Sequence, residues 1–425
     1  MDAPARNEAA PPRVYYLTDE FYPPQVGGVE LMVSYLSHGL AARGVSVNVI
    51  TRQPDTPAAA EEILGQVRVR RIPPGGVLKG IGWRAVPLLL GYLSRLFYIL
   101  LSEGRRYDVV IISGLKVIPL AAIPVCRLLG KRCILRIEST FELAEPVSAE
   151  SRVSMGLWGR LADSLLQRAQ RYVLRHADPV VAISRDVEKM LLERGLAAER
   201  IARIPNGIDL ERFRPAAAGE KQRLRAELGI DADATVVLFV GRLSRAKGIQ
   251  RLVELWPQVA GRHRGLQLLI VGSGGNSFDD CEADLVRLVR ESGMETSVRM
   301  AGASDRVQDY LRAADVFLFP SSYEGFGLGI VEALASGIVV AVTTVGVAPE
   351  LIEHGVNGFL FRPDDSPAIL QVMDAVMARR DDWQAIGRGG RAASAAYDLD
   401  SVISRYAELC RGDRGEFQSE PDRAR

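Results

Sequence analysis

Eleven short apolar runs, each followed by a longer stretch of helical spacing, constrain this 425-residue chain more than any other feature. In the front half they read VYYLT (14–18), VSVNVIT (45–51), VRVRRI (67–72), VVII (109–112), CILRI (133–137) and VVAIS (180–184). In the back half they read VVLFV (236–240), LQLLIV (266–271), VRMAG (298–302), VFLFP (316–320) and IVVAV (338–342). Strands alternating with helices require crossover connections, and crossovers build parallel sheets. Four of the runs, VVII, VVLFV, VFLFP and IVVAV, are apolar at every position, so helices should cover both faces of the sheets. The pattern occurs twice, and between the two sets IPNGIDLERFRPAAAGE marks irregular backbone with Pro and Asn-Gly. The expected fold class is α/β, with two doubly wound, Rossmann-like parallel-sheet domains facing an interdomain cleft. The expected boundaries are a disordered tail at 1–12, a first domain at 13–205, a hinge at 206–220, a second domain at 221–395, a terminal helix at 396–412 and a flexible tail at 413–425.

Charge excludes little and suggests little. The whole chain sums to +1, so nothing points to nucleic acid. Up to Pro205 there are 27 Lys+Arg against 20 Asp+Glu, a surplus of seven, and the remainder carries the opposite imbalance. A basic front half suits an anionic substrate or an anionic membrane face, although an ordinary solvated surface accounts for it equally simply. Cys126, Cys133, Cys281 and Cys410 form no CxxC or ligand cluster and read as buried, reduced thiols. The first residues, MDAPARNEAAPPR, lack the apolar centre of a signal peptide. The run Trp83–Leu101 is interrupted by Arg84, Pro87 and Arg95, so a buried helix is expected, with a helix lying on a bilayer surface as the alternative. A second stripe, Met155, Leu157, Trp158, Leu161, Leu165 and Leu166, sits in an Arg-rich helical segment and leaves the same two readings open.

Ligands of open parallel sheets bind beyond the carboxyl ends of the strands, so the loops there carry the candidate chemistry. Gly27-Gly28 precede the first helix, where free N–H groups favour an anion; a tight strand-to-helix turn explains them equally well. Arg242 and Lys247 lie in GRLSRAKG after VVLFV, a fork and a point charge suited to a diphosphate, without the spacing of a Walker loop; two solvated basic residues in a loop explain them equally well. Gly272-Ser273-Gly274 is part of a dinucleotide fingerprint whose third glycine is missing, which disfavours NAD. In VFLFPSSYEGFGLGIVEALASG, Pro320 should end a strand, and Ser321 and Ser322 are available as helix caps. Glu324 then falls in a glycine-rich turn and Glu332 about one turn into a helix, both suited to sugar diols.

Arg242 and Lys247 upstream of two glutamates with seven residues between them resemble the EX7E signature of the GT-B retaining glycosyltransferases of family 4. GGVE, IPNGID, GRLSRAKG and PELIEHGVNGFLF match in order, from about Arg13 to about Arg411. The resemblance implies a GT-B fold with an acceptor-binding first domain, a donor-binding second domain and a C-terminal helix that crosses back to the first. It implies that Glu324, Arg242 and Lys247 are catalytic. Donor binding would fall to Glu332, Gly325, Phe326, Gly327, Leu328, Gly27, Gly28, Gly272 and Asn206. The implied reaction moves a hexosyl unit, with retention, from a nucleoside-diphosphate sugar to a glycan or lipid-linked acceptor in cell-surface polysaccharide or glycolipid synthesis. A UDP-sugar is favoured over GDP-mannose as donor. No cofactor or metal is expected, since two cations can neutralise the diphosphate. The expected location is cytoplasmic, with a peripheral contact to the inner membrane face through the basic first domain.

This chain departs from the pattern in three places. Relatives commonly carry a His after the strand that here reads CILRI; this chain has ESTFELAEP, so Glu138 and Thr140 are candidates for acceptor binding, with a structural carboxylate equally open. Val339 stands where a Pro is usual, and Gly346-Val347 where two glycines are usual. None of His38, His176, His263 and His354 is expected to be catalytic. The competing readings are a sugar-nucleotide epimerase of the same fold and a nucleotide- or glycan-binding protein without turnover.

Overall fold

The computed structural model describes residues 11–21, 27–54, 57–73, 85–143, 156–275, 279–363 and 365–412. The expected tails, apart from residues 11 and 12, lie outside these residues, as do Met155 and the side chains of Leu157, Trp158, Leu161 and Leu166. The chain divides into two compact units, Met1–Gly207 with Asp400–Arg425, and Ile208–Leu399.

The first unit runs β1 (Arg13–Leu17), α1 (Gly28–Ala42), β2 (Ser46–Arg52), β3 (Glu61–Leu64), β4 (Val67–Ile72), α2 (Ala85–Ser102), β5 (Val109–Ser113), α3 (Ile118–Leu128), β6 (Arg132–Ile137), α4 (Thr140–Leu143), α5 (Gly156–His176), β7 (Val180–Ala182), α6 (Arg185–Glu193) and β8 (Ile201–Arg203). Its sheet has the order β3-β4-β2-β1-β5-β6-β7-β8. The six front-half runs all become strands. Two further strands, β3 and β8, extend the edges. β3 pairs antiparallel with β4 through a turn at Gly65, whose φ is +59°. Its sequence, EEIL, carries two glutamates and no continuous apolar run, as suits an exposed edge.

The helix from Ala85 departs from the expected buried helix. Among its described side chains only Tyr92, Leu96 and Leu100 are fully buried, whereas Leu88, Leu90, Phe97, Tyr98 and Leu101 face solvent. The helix is apolar all round, so its composition does not reveal which side meets the sheet.

The second unit runs α7 (Glu220–Leu228), β9 (Thr235–Val240), α8 (Ile249–Arg262), β10 (Leu266–Val271), α9 (Glu282–Glu291), β11 (Val298–Gly302), α10 (Val307–Ala313), β12 (Val316–Phe319), α11 (Leu328–Ala335), β13 (Val339–Thr343), α12 (Ala348–Leu351), β14 (Phe359–Phe361), α13 (Ser366–Ala378) and α14 (Trp383–Ser394). The sheet is parallel throughout, in the order β11-β10-β9-β12-β13-β14. The central strands are buried along their whole length, each large apolar side chain contributing about 1.5–3 kcal/mol on removal from water. The strand order turns back between β9 and β12, and the loops beyond that point form the crevice where such sheets hold ligands.

The last helix, α15 (Leu399–Arg411), packs within the first unit from Asp400 onward. Ile403 lies against Gly39, where a Cβ would come within 2.3 Å of Ile403 Cδ1. Arg132 donates to the Leu409 carbonyl at 2.9 Å, and Arg405 to the Arg203 carbonyl at 2.6 Å. The last turn's exposed carbonyls thereby receive a cation from β6.

Candidate active site

The crevice of the second unit is built from two loops that touch. After β9 the chain makes a short 3-10 turn, Arg245–Lys247, ended by Gly248 in the left-handed region at φ +68°. A side chain at Gly248 would come within 2.0 Å of the Pro320 carbonyl, so this glycine is what lets the β9 and β12 loops approach. Ser322 N donates to the Ala246 carbonyl at 2.9 Å and closes the contact.

That approach delivers Lys247 to Glu324. Nζ lies 2.6 Å from Glu324 Oε1, across the point where the strand order reverses. The side chains are 26% and 10% exposed, so the pair is shielded yet open on one side. Lys247 also stands 5.7 Å from the centre of the Phe319 ring, over the end of β12. Arg242 lies on the same β9 loop and is exposed, its carbonyl accepting from Ser244 N at 2.9 Å.

Pro320 ends β12 as expected, but Ser321 caps no helix. Its hydroxyl donates to Tyr323 O at 2.9 Å, and Thr343 Oγ1 donates to Ser321 O at 2.6 Å, so these hydroxyls fold the loop itself. The N-cap of α11 is Gly327, left-handed at φ +94°, with no side-chain cap. The first N–H groups of α11, from Leu328 onward, therefore meet no capping side chain, which leaves a helix terminus suited to an anion. Phe326 is buried and packs on Tyr397 at 5.9 Å, fixing the loop from below, and Gly325 sits beside Glu324. Gly346, left-handed at φ +57°, lets the next loop pass close: a Cβ there would be 2.4 Å from Phe326 O and 3.0 Å from Glu324 Cβ. The single glycine retained from the usual pair is the one this contact requires.

Glu332 stands one turn into α11 and makes no ion pair among the described residues. Burial pushes its carboxyl up to about 7, with the nearby Arg212 cation pulling the other way. A carboxyl so placed lacks hydrogen-bond donors that hydroxyls of a ligand can supply. Gly272 ends β10 at φ +149°, where a Cβ would come within 1.8 Å of Gly241 O; the position brings the ends of β9 and β10 together.

The remaining sequence candidates belong to the first unit. Gly27 is the extended N-cap of α1 and Gly28 its first residue. The Glu30 carboxylate already lies over Gly27, where a Cβ would be 2.2 Å from Oε2. Glu138 follows β6 and is buried, with Oε1 accepting from Arg136 Nη1 at 2.5 Å. The other Arg136 nitrogen donates to Asn206 Oδ1, so Asn206 and Glu138 flank one buried guanidinium. Thr140 opens α4. Two members of this cluster were not singled out from sequence. Arg136, an arginine inside the otherwise apolar CILRI, is 1% exposed and was legible only as an odd charge in a buried strand. Glu142 accepts from Leu115 N at 3.1 Å and Glu138 N at 3.2 Å, and burial together with the Glu138 charge pushes its carboxyl up to about 7. Among the described residues no group of three or more His, Cys, Asp or Glu side chains converges on a metal position.

Comparison with known proteins places the chain in a family. Residues 26–212 match the model described as Glycosyltransferase Family 4, and residues 220–393 the model described as Glycosyl transferases group 1. A D-inositol 3-phosphate glycosyltransferase of Nocardiopsis dassonvillei is 31% identical over 379 residues, 83% of each chain. One of Catenulispora acidiphila is 29% identical over 97% of this chain and 99% of its own. Among solved structures, a sucrose-phosphate synthase from Thermosynechococcus elongatus superposes with a TM-score of 0.77 at 24% identity, covering 94% of this chain and 98% of the other. HepE of Anabaena, in complex with UDP-glucose, superposes with a TM-score of 0.71 at 20% identity, covering 94% of this chain and all of the other. The chain belongs to the family 4 glycosyltransferases of the GT-B fold.

Proposed function

We propose that this chain moves a hexosyl unit from a nucleoside-diphosphate sugar to a glycan or lipid-linked acceptor, with retention at the anomeric carbon. The observation that carries the reading is the 2.6 Å approach of Lys247 to Glu324 at the strand-order reversal of the second unit. A cation for the diphosphate and a carboxylate for the sugar stand there side by side.

The chemistry follows from charge. As the bond between the sugar's C1 and the phosphate oxygen breaks, positive charge gathers on the sugar ring and negative charge on the leaving diphosphate. Lys247 and Arg242 stabilise the second, and charge stabilised as it develops lowers a barrier most. The uncapped N-terminus of α11 and the backbone N–H groups of Gly325, Phe326, Gly327 and Leu328 hold the same phosphates. Glu324 accepts from sugar hydroxyls and Glu332 from the ribose diol. Gly272 leaves room beside the nucleotide. The acceptor hydroxyl forms the new bond to C1 on the face the diphosphate leaves, and its proton passes to that diphosphate. In the first unit, Gly27, Gly28 and Asn206 are the residues assigned to the donor. Arg136 holds Glu138 beyond the end of β6, and Glu138 and Thr140 meet the acceptor. No metal takes part in this scheme.

A uridine donor is favoured because a solved structural neighbour holds UDP-glucose. The acceptor panel should include inositol 3-phosphate, after the names of the relatives. The test is release of nucleoside diphosphate from UDP-, GDP- and ADP-sugars with and without acceptors, the product anomer being read by NMR. Release that depends on acceptor and gives a retained anomer is expected. Tight binding without release from any donor overturns the reading in favour of a binding protein.

A further inference from the structure

Eight of the large apolar side chains that face solvent lie on three helices of the first unit. They are Leu88, Leu90, Phe97, Tyr98 and Leu101 on α2, Leu128 on α3, and Leu165 and Tyr172 on α5. These helices form one layer. α2 packs on α3 and α3 on α5, and all three are crossovers that advance across the sheet in the same direction, which places them on one face.

The exposure is not incidental. Tyr98, Leu128 and Leu165 keep 70%, 71% and 63% of their surface in water. On α2 the exposed side carries Leu88, Leu90, Phe97, Tyr98 and Leu101 with Arg95 as its one charge, where an ordinary surface helix presents mostly charge. On α5 the outward residues Leu165, Arg168, Tyr172 and Arg175 recur at three- and four-residue spacing, apolar and cationic in turn.

Charge selects the occupant. Across the three helices the basic residues are Arg95, Arg127, Arg160, Arg168, Arg171 and Arg175, and Asp163 is the sole acid. An apolar patch meant for a second copy of the chain would bring this surplus of arginines against itself. A protein partner would need an acidic patch of matching extent. A bilayer rich in anionic lipid offers negative charge at the headgroups and an apolar layer beneath, which fits both features at once. No helix among the described residues is long and apolar enough to cross a membrane, so the contact lies along the surface.

We propose that the outer face of α2, α3 and α5 docks the protein on an anionic membrane surface, with Leu90, Phe97, Tyr98 and Leu101 entering the interface and Arg127, Arg168 and Arg175 meeting the headgroups.

Cosedimentation of the full chain with vesicles tests this without donor or acceptor, so its result does not depend on the proposed reaction. Vesicles of phosphatidylcholine alone are compared with vesicles that also contain phosphatidylglycerol, at low and high salt. Binding to the anionic vesicles, weakened by salt, is expected. Phe97→Glu/Leu101→Glu and, separately, Arg168→Glu/Arg175→Glu should each lower the partition coefficient about tenfold or more. All four side chains are exposed, and the two pairs lie on different helices, so loss in both with unchanged melting cannot be a folding defect. Equal partition onto neutral and anionic vesicles overturns the proposal, as does parental binding by both variants. So does a parent dimer, seen by light scattering, that Phe97→Glu/Leu101→Glu dissociates without altering vesicle binding.

Discussion

Replacing Lys247 by Ala separates the structural from the chemical consequences of one ion pair. The variant leaves the Glu324 carboxylate, 10% exposed, without the ammonium that stood 2.6 Å away. Stripping a fully buried carboxylate of its partner costs about 3–5 kcal/mol. An exposed pair is worth about 0–1 kcal/mol. With Lys247 itself a quarter exposed, the loss should fall between these limits, about 1–2 kcal/mol. The chemical loss should be larger. Removing one group aimed at developing charge lowers turnover by about 10²–10³-fold. Urea unfolding followed by fluorescence reads the first quantity and nucleoside-diphosphate release under saturating donor reads the second. The double variant Lys247→Ala/Glu324→Gln no longer has an unpaired buried charge, so its stability should return toward the parent while turnover stays low. Turnover of Lys247→Ala within about threefold of the parent would refute the electrostatic role. A double variant as unstable as the single one would show that the pair is not the source of the stability loss.

Arg136→Met should cost about 3–5 kcal/mol because it leaves Glu138 buried and uncompensated, and Arg136→Met/Glu138→Leu should recover much of it. Equal unfolding midpoints of the single and double variants would contradict this. Glu332 and Glu142 both titrate at about 7 in the folded chain, above their ordinary 4.5, chiefly through burial. A raised carboxyl favours the folded state when protonated, so this stabilisation is complete below about 4.5 and is lost as pH rises through about 7. The urea midpoint should therefore fall between pH 5 and 8, and fall less in Glu332→Gln or Glu142→Gln; parallel slopes would exclude these groups. Hydroxyl donors from a bound ribose favour the Glu332 carboxylate, so nucleoside diphosphate should bind with proton release near pH 7. Calorimetry in buffers of different ionisation enthalpy measures that release, and Glu332→Gln should abolish it. Gly248→Ala combines a left-handed backbone with a 2.0 Å encounter with Pro320 O and should destabilise by about 1–3 kcal/mol while separating Lys247 from Glu324. Unchanged stability and turnover would mean the two loops do not depend on this glycine.

The fold was legible because its signals are local. Runs such as VVLFV and IVVAV are apolar at every position, short and rich in Val and Ile, which suits strands covered on both faces. The edge strands escaped because they lack it. EEIL carries two adjacent glutamates and only two apolar residues on an open edge, and Ile201–Arg203 is too short to stand out. The burial of α2 was misread for the opposite reason. Its composition is apolar on every side, so periodicity contains no information about which side is covered.

By itself the sequence determined two parallel-sheet halves, a break near Pro205, and the residue types expected at the strand ends. Short-range spacing sets these, through the pleat of a strand and the turn of a helix. Tertiary structure alone decided that Lys247 and Glu324, 77 residues apart, stand 2.6 Å from one another. That distance depends on β9 and β12 being neighbours and on a glycine that lets their loops touch. Tertiary structure also decided that Arg136 lies buried between Glu138 and Asn206, and that the apolar arc of α2 points outward. Each is a relation between segments remote in the chain, set by which surfaces remain after the sheets have been covered.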